Sequence, residues 1–498
     1  MSVIIVTLVF FKQTGNIIQY KATQSGFFIL SAVLLLVLIG FTARIVFELP
    51  EILYTFLIGV VCVIYFLHSN SQTNTFPFKT ILSGYFTYLS CRTFFSKTQK
   101  LFLSSKMSLW AITIVLGIVL IHIYYSARIT LINGFLLNTT LYSNLICLLV
   151  PFAFYLKSKL KSEQKINVLL NLLIITFVSI TIINTARIAI LVCSISFIVY
   201  LCNTYILSKF IKTILCLILL TIALTCGIIK QKSSSGRVLI WKISTNMITQ
   251  FPFGIGTGNF TSIYNFEQSD YLNSSRARPS DILNADITEY AFNDFIQITN
   301  ESSICALICY LMFITLLLKN IRNSYGRLLI ISWLFVSFFS YPLYVYIINV
   351  SFNALLAYFV SKYYEVKSEL TIPYIKRFFI LILLPYILIE CLSLYSYLEW
   401  DKINTASYKS FDSKPPLIKL NLLHDNSFLY SYGFKKLFDG RYDEALSLLL
   451  SNTNKNSDAD LNIAIALCFE GKKIMLRPNT FIEKQHPSIR EDLCRKAI

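Results

Sequence analysis

Run after run of apolar residues, each about as long as a bilayer is thick, fixes what this chain can become. A hydrocarbon core of about 30 Å takes roughly 20 apolar residues as a helix. Stretches of that kind recur near 27–46, 51–67, 108–125, 138–156, 166–184, 188–207, 211–229, 301–318, 328–343, 346–361 and 378–396. Residues 78–95 give a weaker signal, and 1–20 a weaker one still. About twelve spans are therefore expected in an all-α, polytopic membrane helix bundle, since a helix satisfies its own backbone where lipid offers no partner. Charged residues make up only 14% of the chain, whereas water-soluble domains carry about 25%. Residues 1–11 are apolar but lack a basic leader and a small-residue cleavage site, so no cleaved signal peptide is expected there.

The net charge of +18 looks at first like a nucleic-acid footprint. From residue 397 onward, however, 15 Lys and Arg face 13 Asp and Glu, which leaves 29 against 13 in residues 1–396. The excess belongs to the apolar part, where it sits in short loops and encodes topology. No basic stripe or recognition motif accompanies it, and a nucleic-acid partner is excluded. The clusters Lys97/Lys100/Lys106, Lys157–Lys165, Lys209/Lys212, Lys319/Arg322/Arg327 and Lys362/Lys367/Lys376/Arg377 are each two spans from the next, so all fit the cytoplasmic side. Two long polar segments then face the other side. The expected division is a bundle over 1–229, a large loop over 230–300, further membrane helices over 301–396 and a polar tail over 397–498. Ten of the twelve cysteines lie in or beside apolar segments, as small hydrophobes do, and none has metal-ligand spacing. Cys468 and Cys494, in the tail, stand either as a bridge or as two free thiols.

The tail has ordinary charge content and helical apolar spacing. Ser431-Tyr432-Gly433, then Gly440-Arg441-Tyr442-Asp443-Glu444-Ala445-Leu446, then Leu461, Ala464, Ala466 and Gly471 fit a helix, a turn at Gly440, a second helix and a third from about Asp458. This resembles a tetratricopeptide repeat, in which small residues let paired helices approach. Only one to two repeats are visible, and a plain helical cap on the membrane part is the other reading.

The 230–300 loop is where chemistry is expected. Glu267, Asp270, Asp281, Asp286, Glu289, Asp294 and Glu301 are seven of the thirteen acids in residues 1–396, and Arg237, Arg276 and Arg278 lie among them. Loops longer than about 15 residues are usually functional or disordered; this one has enough apolar and aromatic content for short helices on the membrane surface. From Arg237 to about Gln250 the pattern suits an amphipathic helix, with Ser235 as its cap and Pro252 beyond its end. Gly254, Gly256 and Gly258 exclude regular helix and leave backbone N–H groups for a ligand such as a phosphate.

The run SGRVLIWKISTNMITQFPFGIGTGNF (235–260) resembles the signature of the O-antigen ligase and polymerase superfamily. NTARIAILV (184–192), ITLINGFLLNTTLYSNLICLLVP (129–151) and YAFNDFIQITNES (290–302) are similar to three further elements of that family. The resemblance covers residues 110–345, and the remainder by hydropathy alone. It implies an enzyme of the bacterial inner membrane, with loop and tail periplasmic. Such an enzyme moves a glycan from undecaprenyl diphosphate to lipid A core or a protein hydroxyl, without metal, nucleotide or other cofactor. One departure stands out: the family commonly has a histidine just before the Asn, and this chain has Phe292 there, with Tyr290 at the earlier position. None of His68, His122, His424 and His486 lies in the loop sequence, which excludes a histidine base within this motif. Asp294, beside Asn293, is the preferred substitute, with Asp286 and Glu289 nearby. A Phe-Asn-acid run with a repeat-containing tail marks a subgroup of the family.

The leaving group in such a transfer is a diphosphate, so fixed cations must meet its growing charge. Arginine suits this best, with a planar fork that binds phosphate oxygens in pairs. Arg187 lies at a span end amid Ile182, Ile183, Ile188 and Ile190, where an unpaired charge costs on the order of 2.5–3.5 kcal/mol; snorkelling to the interface is its structural alternative. Arg237 at the loop's entry is the second candidate. Arg128, beside the Gly134 segment, is a weaker substrate contact, and Arg276 and Arg278 read as surface charges. Trp241, Tyr264 and Tyr290 face either a sugar or the membrane interface, and Gly256, Gly258, Asn293 and Gln297 complete the expected binding set. A polymerase joining repeat units is the alternative within the same chemistry. A flippase or transporter is the alternative of another class, but it requires polar groups near the midplane, whereas here the charges gather at one face. A non-enzymatic scaffold leaves Arg187 and the acidic loop unexplained.

Overall fold

The computed structural model describes residues 17–41, 48–69, 74–98, 113, 115, 138–160, 164–206, 208, 210, 211, 213–215, 217, 221, 231–286, 288–364, 375–406, 411, 414–423 and 425–453. Within these residues the fold is all-helical, with no strand. In chain order the helices are α1 Ile17–Phe41, α2 Leu49–His68, α3 Thr75–Thr98, α4 Thr139–Lys159, α5 Gln164–Ile183, α6 Arg187–Thr204, α7 Gln231–Gln250, α8 Phe260–Asn273, α9 Pro279–Asn284, α10 Asp294–Asn320 and α11 Ser324–Phe339. A 3₁₀ turn at Pro342–Tyr344 leads to α12 Tyr346–Tyr363 and α13 Ile375–Ala406. The tail contributes α14 Pro416–Leu423, α15 Asn426–Phe438 and α16 Tyr442–Thr453.

Six of these are long and apolar enough to cross a membrane: α2, α4, α5, α6, α10 and the Ile380–Ile403 stretch of α13. They mark a multi-pass membrane protein. Large apolar side chains point outward from them, among them Phe66 and Leu67 on α2, Ile175 on α5 and Leu388 on α13, a surface that suits lipid and not water. The expected spans at 1–20, 108–125 and 211–229 lie largely outside the described residues.

The innermost helix is not one of the six. Every residue of α12 from Tyr346 to Ser361 is buried. Its hydropathy is lowered by Asn349 and Asn353, which are satisfied inside the bundle. Asn349 donates to the Thr80 carbonyl at 3.0 Å, and the Tyr54 hydroxyl donates to Asn353 at 3.0 Å. Gly84 on α3 makes room for this, because a Cβ there would come within 2.6 Å of the Asn349 side chain. Around that pair, α10 packs on α2, α4 on α5 and α6, and α13 on α1.

The two ends of the bundle differ in chemistry. At one end Arg92 pairs with Glu48 and Glu51, Ser361 bonds the Arg92 carbonyl, and Lys362 lies over Tyr155 and beside Lys159. Lys157 and Arg327 belong to the same end, through Asn171 and the Ile321 carbonyl. The opposite end gathers the end of α2, the starts of α4, α6, α10 and α12, and the 231–293 segment. That segment folds on a core of its own, formed by Leu239, Ile243, Met247, Ile255, Phe260, Tyr264 and Ala291. Two boundaries differ from expectation. The helix expected from Arg237 begins at Gln231, so Ser235 lies inside it and bonds Asn284 instead of capping it. The helix expected from 301 begins at Asp294, because Asn293 caps it by accepting from the Phe295 and Ile296 amides.

In the tail, α15 and α16 pack as a hairpin about Gly440, with Gly433 against Leu449. Lys21 of α1 reaches Asp425 at 2.6 Å, and the Tyr397 hydroxyl donates to the same carboxylate, tying the hairpin to α1 and α13. The third helix expected near Asp458 lies outside the described residues.

Candidate active site

Arg187 is the first residue of α6, directly after a tight reversal. The end of α5 closes with the Ala186 amide on the Thr181 carbonyl and the Thr185 amide on the Ile182 carbonyl, which forces Thr185 to φ +48°. Glycine usually takes that position; a β-branched residue there is strained. Asn184, buried beside it, donates to Ser143 at 3.1 Å and locks the reversal onto α4. Arg187 then reaches across to α7, its Nη1 donating to Ser234 at 3.1 Å. Arg237 follows less than one turn later on α7. Its Nη1 donates to the Phe339 carbonyl at the end of α11, at 2.7 Å, and its guanidinium lies 5.3 Å above the Phe292 ring. Burial first, and then the Arg187 charge, lower the Arg237 pKa, while the Tyr341 hydroxyl opposes them. No carboxylate among the described residues acts on it. Two guanidiniums, far apart in sequence, thus approach each other where Arg237 has no acid to answer it.

Beside them runs the start of α10. Gln297 is its hinge-pin: its Oε1 accepts from the Ala291 amide at 2.6 Å, and its Nε2 donates to Glu301 at 3.2 Å. The Trp241 indole donates to the Ala291 carbonyl at 3.0 Å, which fixes the residue before Phe292. Phe292 itself has φ +51°. Tyr290 lies flat on Tyr341, ring centroids 4.2 Å apart, and Tyr344 continues the aromatic face towards Glu301. Asp294 is completely buried; one carboxylate oxygen accepts from the Leu343 amide at 3.2 Å, holding the 3₁₀ turn, and the other has no hydrogen-bond partner.

Helix α10 then breaks. Ser303 has φ +84°, ψ 164°, which frees carbonyls that would otherwise bond down the helix. The glycine loop fills the gap: Ile255 donates to the Asn300 carbonyl at 2.8 Å and Gly256 to the Glu301 carbonyl at 3.0 Å. The Glu301 carboxylate, also buried, accepts from the Gly258 amide at 3.1 Å. Only glycine fits at 254, where φ is +86° and a Cβ would lie 2.9 Å from both the Glu301 carbonyl and the Ser303 amide.

The expectation that these glycine amides remain for phosphate is corrected by these bonds. Gly254, Gly256 and Gly258 all donate to acceptors of the chain itself. Tyr264 faces neither sugar nor membrane, because it is buried in the loop's own core and stacked on Phe260. Asp286 is exposed beside α8, its carbonyl accepting from Gln268 and Thr288, while Arg276 and Arg278 are exposed as expected of surface charges. Arg128 and the Gly134 segment lie outside the described residues. Arg187, Arg237, Trp241, Tyr290, Asn293, Asp294 and Gln297 are brought together at one end of the bundle. Among the described residues no three His, Cys, Asp or Glu side chains gather as metal ligands do.

Two residues were given no site role from the sequence. Glu301 carried a usable signal, a carboxylate at the edge of an apolar run. His68 carried none. It ends α2, yet the fold sets it against the glycine loop, where Asn259 donates to its carbonyl at 3.5 Å. A Cβ on Gly256 would come within 2.7 Å of the His68 Cβ.

Comparison of the chain with models of protein families, with curated proteins and with solved structures finds no match.

Proposed function

We propose that this chain is a membrane glycosyltransferase of the O-antigen ligase type, transferring a glycan from undecaprenyl diphosphate to an acceptor hydroxyl. The observation that carries the reading is the approach of Arg187 and Arg237 with no acid acting on Arg237. A half-buried cation beside a like charge is unfavourable until an anion arrives, and a departing diphosphate supplies two negative phosphates. Arg237 keeps donors beyond the one on Phe339, in the flat geometry that phosphate oxygens need. The stacked Tyr290 and Tyr341 offer an aromatic face beside the arginines on which a sugar ring can lie. Asn293, Asp294, Gln297 and Trp241 hold that face in place through the bonds they make.

On this reading the chain crosses the bacterial inner membrane about twelve times, with its basic end cytoplasmic, following the positive-inside rule. The site, the loop and a tetratricopeptide-like tail are then periplasmic. A helical-repeat tail favours transfer to lipid A core or a protein over polymerisation, an argument from fold analogy. A transporter would share the break at Ser303 and the polar groups Asn349, Asn353 and Glu390 buried inside the bundle. The carbonyls freed at that break are taken by the chain's own glycine loop, however, Asn349 and Asn353 bond to the Thr80 and Asn349 carbonyls, and Glu390 pairs with Lys79.

Arg187→Ala and Arg237→Ala, produced at matched levels, test the proposal in membrane vesicles that carry their own donor and acceptor. Each is expected to lower transfer by roughly 10²–10³-fold, the usual effect of removing one fixed donor from a developing anion. Full transfer by both variants would overturn it.

A further inference from the structure

Helix α14 shows apolar side chains on two faces. Ile418 and Leu422 are buried in the core of the tail, with Trp400 and Ile403 of α13 and with Phe411, Phe428 and Tyr432. Leu417, Leu420 and Leu423, spaced at i, i+3 and i+6 on the opposite face, are 63%, 56% and 37% exposed. Between the two faces lie only the half-buried flanks Lys419 and Asn421. A row of leucines turned away from a core that is already complete calls for a second apolar medium.

The height of α14 along α13 identifies that medium. Lys414, just before α14, reaches Glu399 at 2.6 Å. Asp425, just after it, accepts from the Tyr397 hydroxyl at 3.1 Å and pairs with Lys21 of α1 at 2.6 Å. The two ends of the helix are thus tied to residues two apart on a spanning helix, so α14 runs across the bundle axis and not along it. Leu398 lies between those two residues and is 49% exposed, the last apolar member of the outward stripe that Leu381, Leu384, Leu388 and Tyr395 begin. Lys402, one turn on, carries the stripe into charge, its side chain 70% exposed. The tethers therefore hold α14 where α13 still shows lipid a leucine and just short of where it shows water a cation, the level of the headgroups.

We infer that α14 is an in-plane membrane helix, with Leu417, Leu420 and Leu423 seated among the upper acyl chains of the leaflet. The inference rests on the chain crossing a membrane and is independent of the transferase reading. Pro415 and Pro416 open the helix at this height, since the Ile418 and Lys419 amides bond the Pro415 carbonyl and a first-turn proline leaves no amide wanting. Asp425 then passes directly into α15, its carboxylate accepting from the Phe428 amide. The seat of α14 in lipid thus sets the height of the α15–α16 hairpin over the membrane.

The test places a tryptophan on that face in the full chain, reconstituted in phosphatidylcholine and phosphatidylglycerol bilayers. Part of the lipid carries bromine on the upper acyl chain, at the depth of about 5–10 Å that an interfacial helix reaches. Leu417→Trp, Leu420→Trp and Leu423→Trp are read as the emission each adds to the unaltered chain, with Ser447→Trp on the exposed, charged side of α16 as the water reference. All three are expected to emit to the blue of the reference and to be quenched by bromolipid at least about twofold more than it is. Acrylamide in the water should quench them less. Quenching by bromolipid at Leu417→Trp or Leu423→Trp alone would mean that the helix dips end-first, and overturns the in-plane seat. Acrylamide quenching equal to that of Ser447→Trp would put the face in water. Shielding from both quenchers would mean that protein covers it, either residues 454–498 or a second copy of the chain, and either result refutes the inference.

Discussion

Replacing Arg92 by Met is the sharpest test of how the bundle is held together. Arg92 is 1% exposed and bridges two carboxylates: Nε meets Glu51 at 3.1 Å and Nη2 meets Glu48 at 3.2 Å. The Tyr88 hydroxyl donates to the same Glu51 oxygen at 2.9 Å, and the other Glu51 oxygen accepts from the Glu48 amide at 3.0 Å. Removing the cation leaves two neighbouring buried carboxylates with no charge to answer them. Breaking a buried pair in this way costs about 3–5 kcal/mol, between two and four decades in the folded-to-unfolded ratio. Glu51→Gln keeps one carbonyl for Arg92 and Tyr88 and leaves Arg92 paired with Glu48, so its cost is about 1–3 kcal/mol. The double variant Arg92→Met/Glu51→Gln should be more stable than Arg92→Met alone, since it removes one of the two stranded charges. Equilibrium unfolding in mixed micelles, followed by alkylation of the buried thiols Cys147, Cys193 and Cys309, measures all three. A loss under about 1 kcal/mol for Arg92→Met, or a double variant whose loss is the sum of the singles, would refute the reasoning. The cluster lies at the end of the bundle away from Arg237, so transfer per folded molecule should not change.

Gly254→Ala should keep the fold and damage the site. Its backbone costs about 1–2 kcal/mol, and its Cβ pushes on the break at Ser303, so transfer per folded molecule should fall at least about tenfold. Asp294→Asn should keep an acceptor for the Leu343 amide and most of the transfer rate, whereas Asp294→Ala leaves that amide bare at about 1–3 kcal/mol; equal loss in both would restore Asp294 as a base. Burial pushes the Asp425 carboxyl up, but Lys21, the Phe428 amide and the Tyr397 hydroxyl bring it below its ordinary value. The stability it contributes is therefore present above the unfolded carboxyl pKa of about 3.9 and is lost as pH falls through the lower folded value. Limited proteolysis of the tail should speed up in that acid window, and Lys21→Met should remove the dependence.

Much of this architecture was legible because lipid simplifies the reading. An apolar run of about 20 residues has few fates, and helices do stand at most of the expected places. The paired bases also announced an end of the bundle: Lys157, Arg327 and Lys362 share one. What stayed hidden depends on contacts between distant segments. Asn349 and Asn353 argue against a deep helix until Thr80 and Tyr54 arrive to satisfy them. The glycines advertised a turn with spare amides, and only the break in α10 reveals that those amides repair a damaged helix. His68 could not be placed from sequence, because the Asn259 that meets it lies 191 residues away.

The strain in the backbone gives an independent reason to put the chemistry at this end. Among the described residues, the non-glycine positions with positive φ are Thr185, Phe292 and Ser303. Conformations of this kind cost of order 1–3 kcal/mol each and persist only where the surroundings over-determine them. Thr185 sets the start of α6 and so aims Arg187. Phe292 places its ring under Arg237 and hands on to the Asn293 cap. Ser303 opens α10 to the loop that carries Gly256 and meets His68. Helices alone would need none of the three, since α5 and α6 could be joined through glycine and α10 could run unbroken. Two of the three strained residues thus act on the arginines and the third on the glycine loop, at the one end of the bundle where both gather.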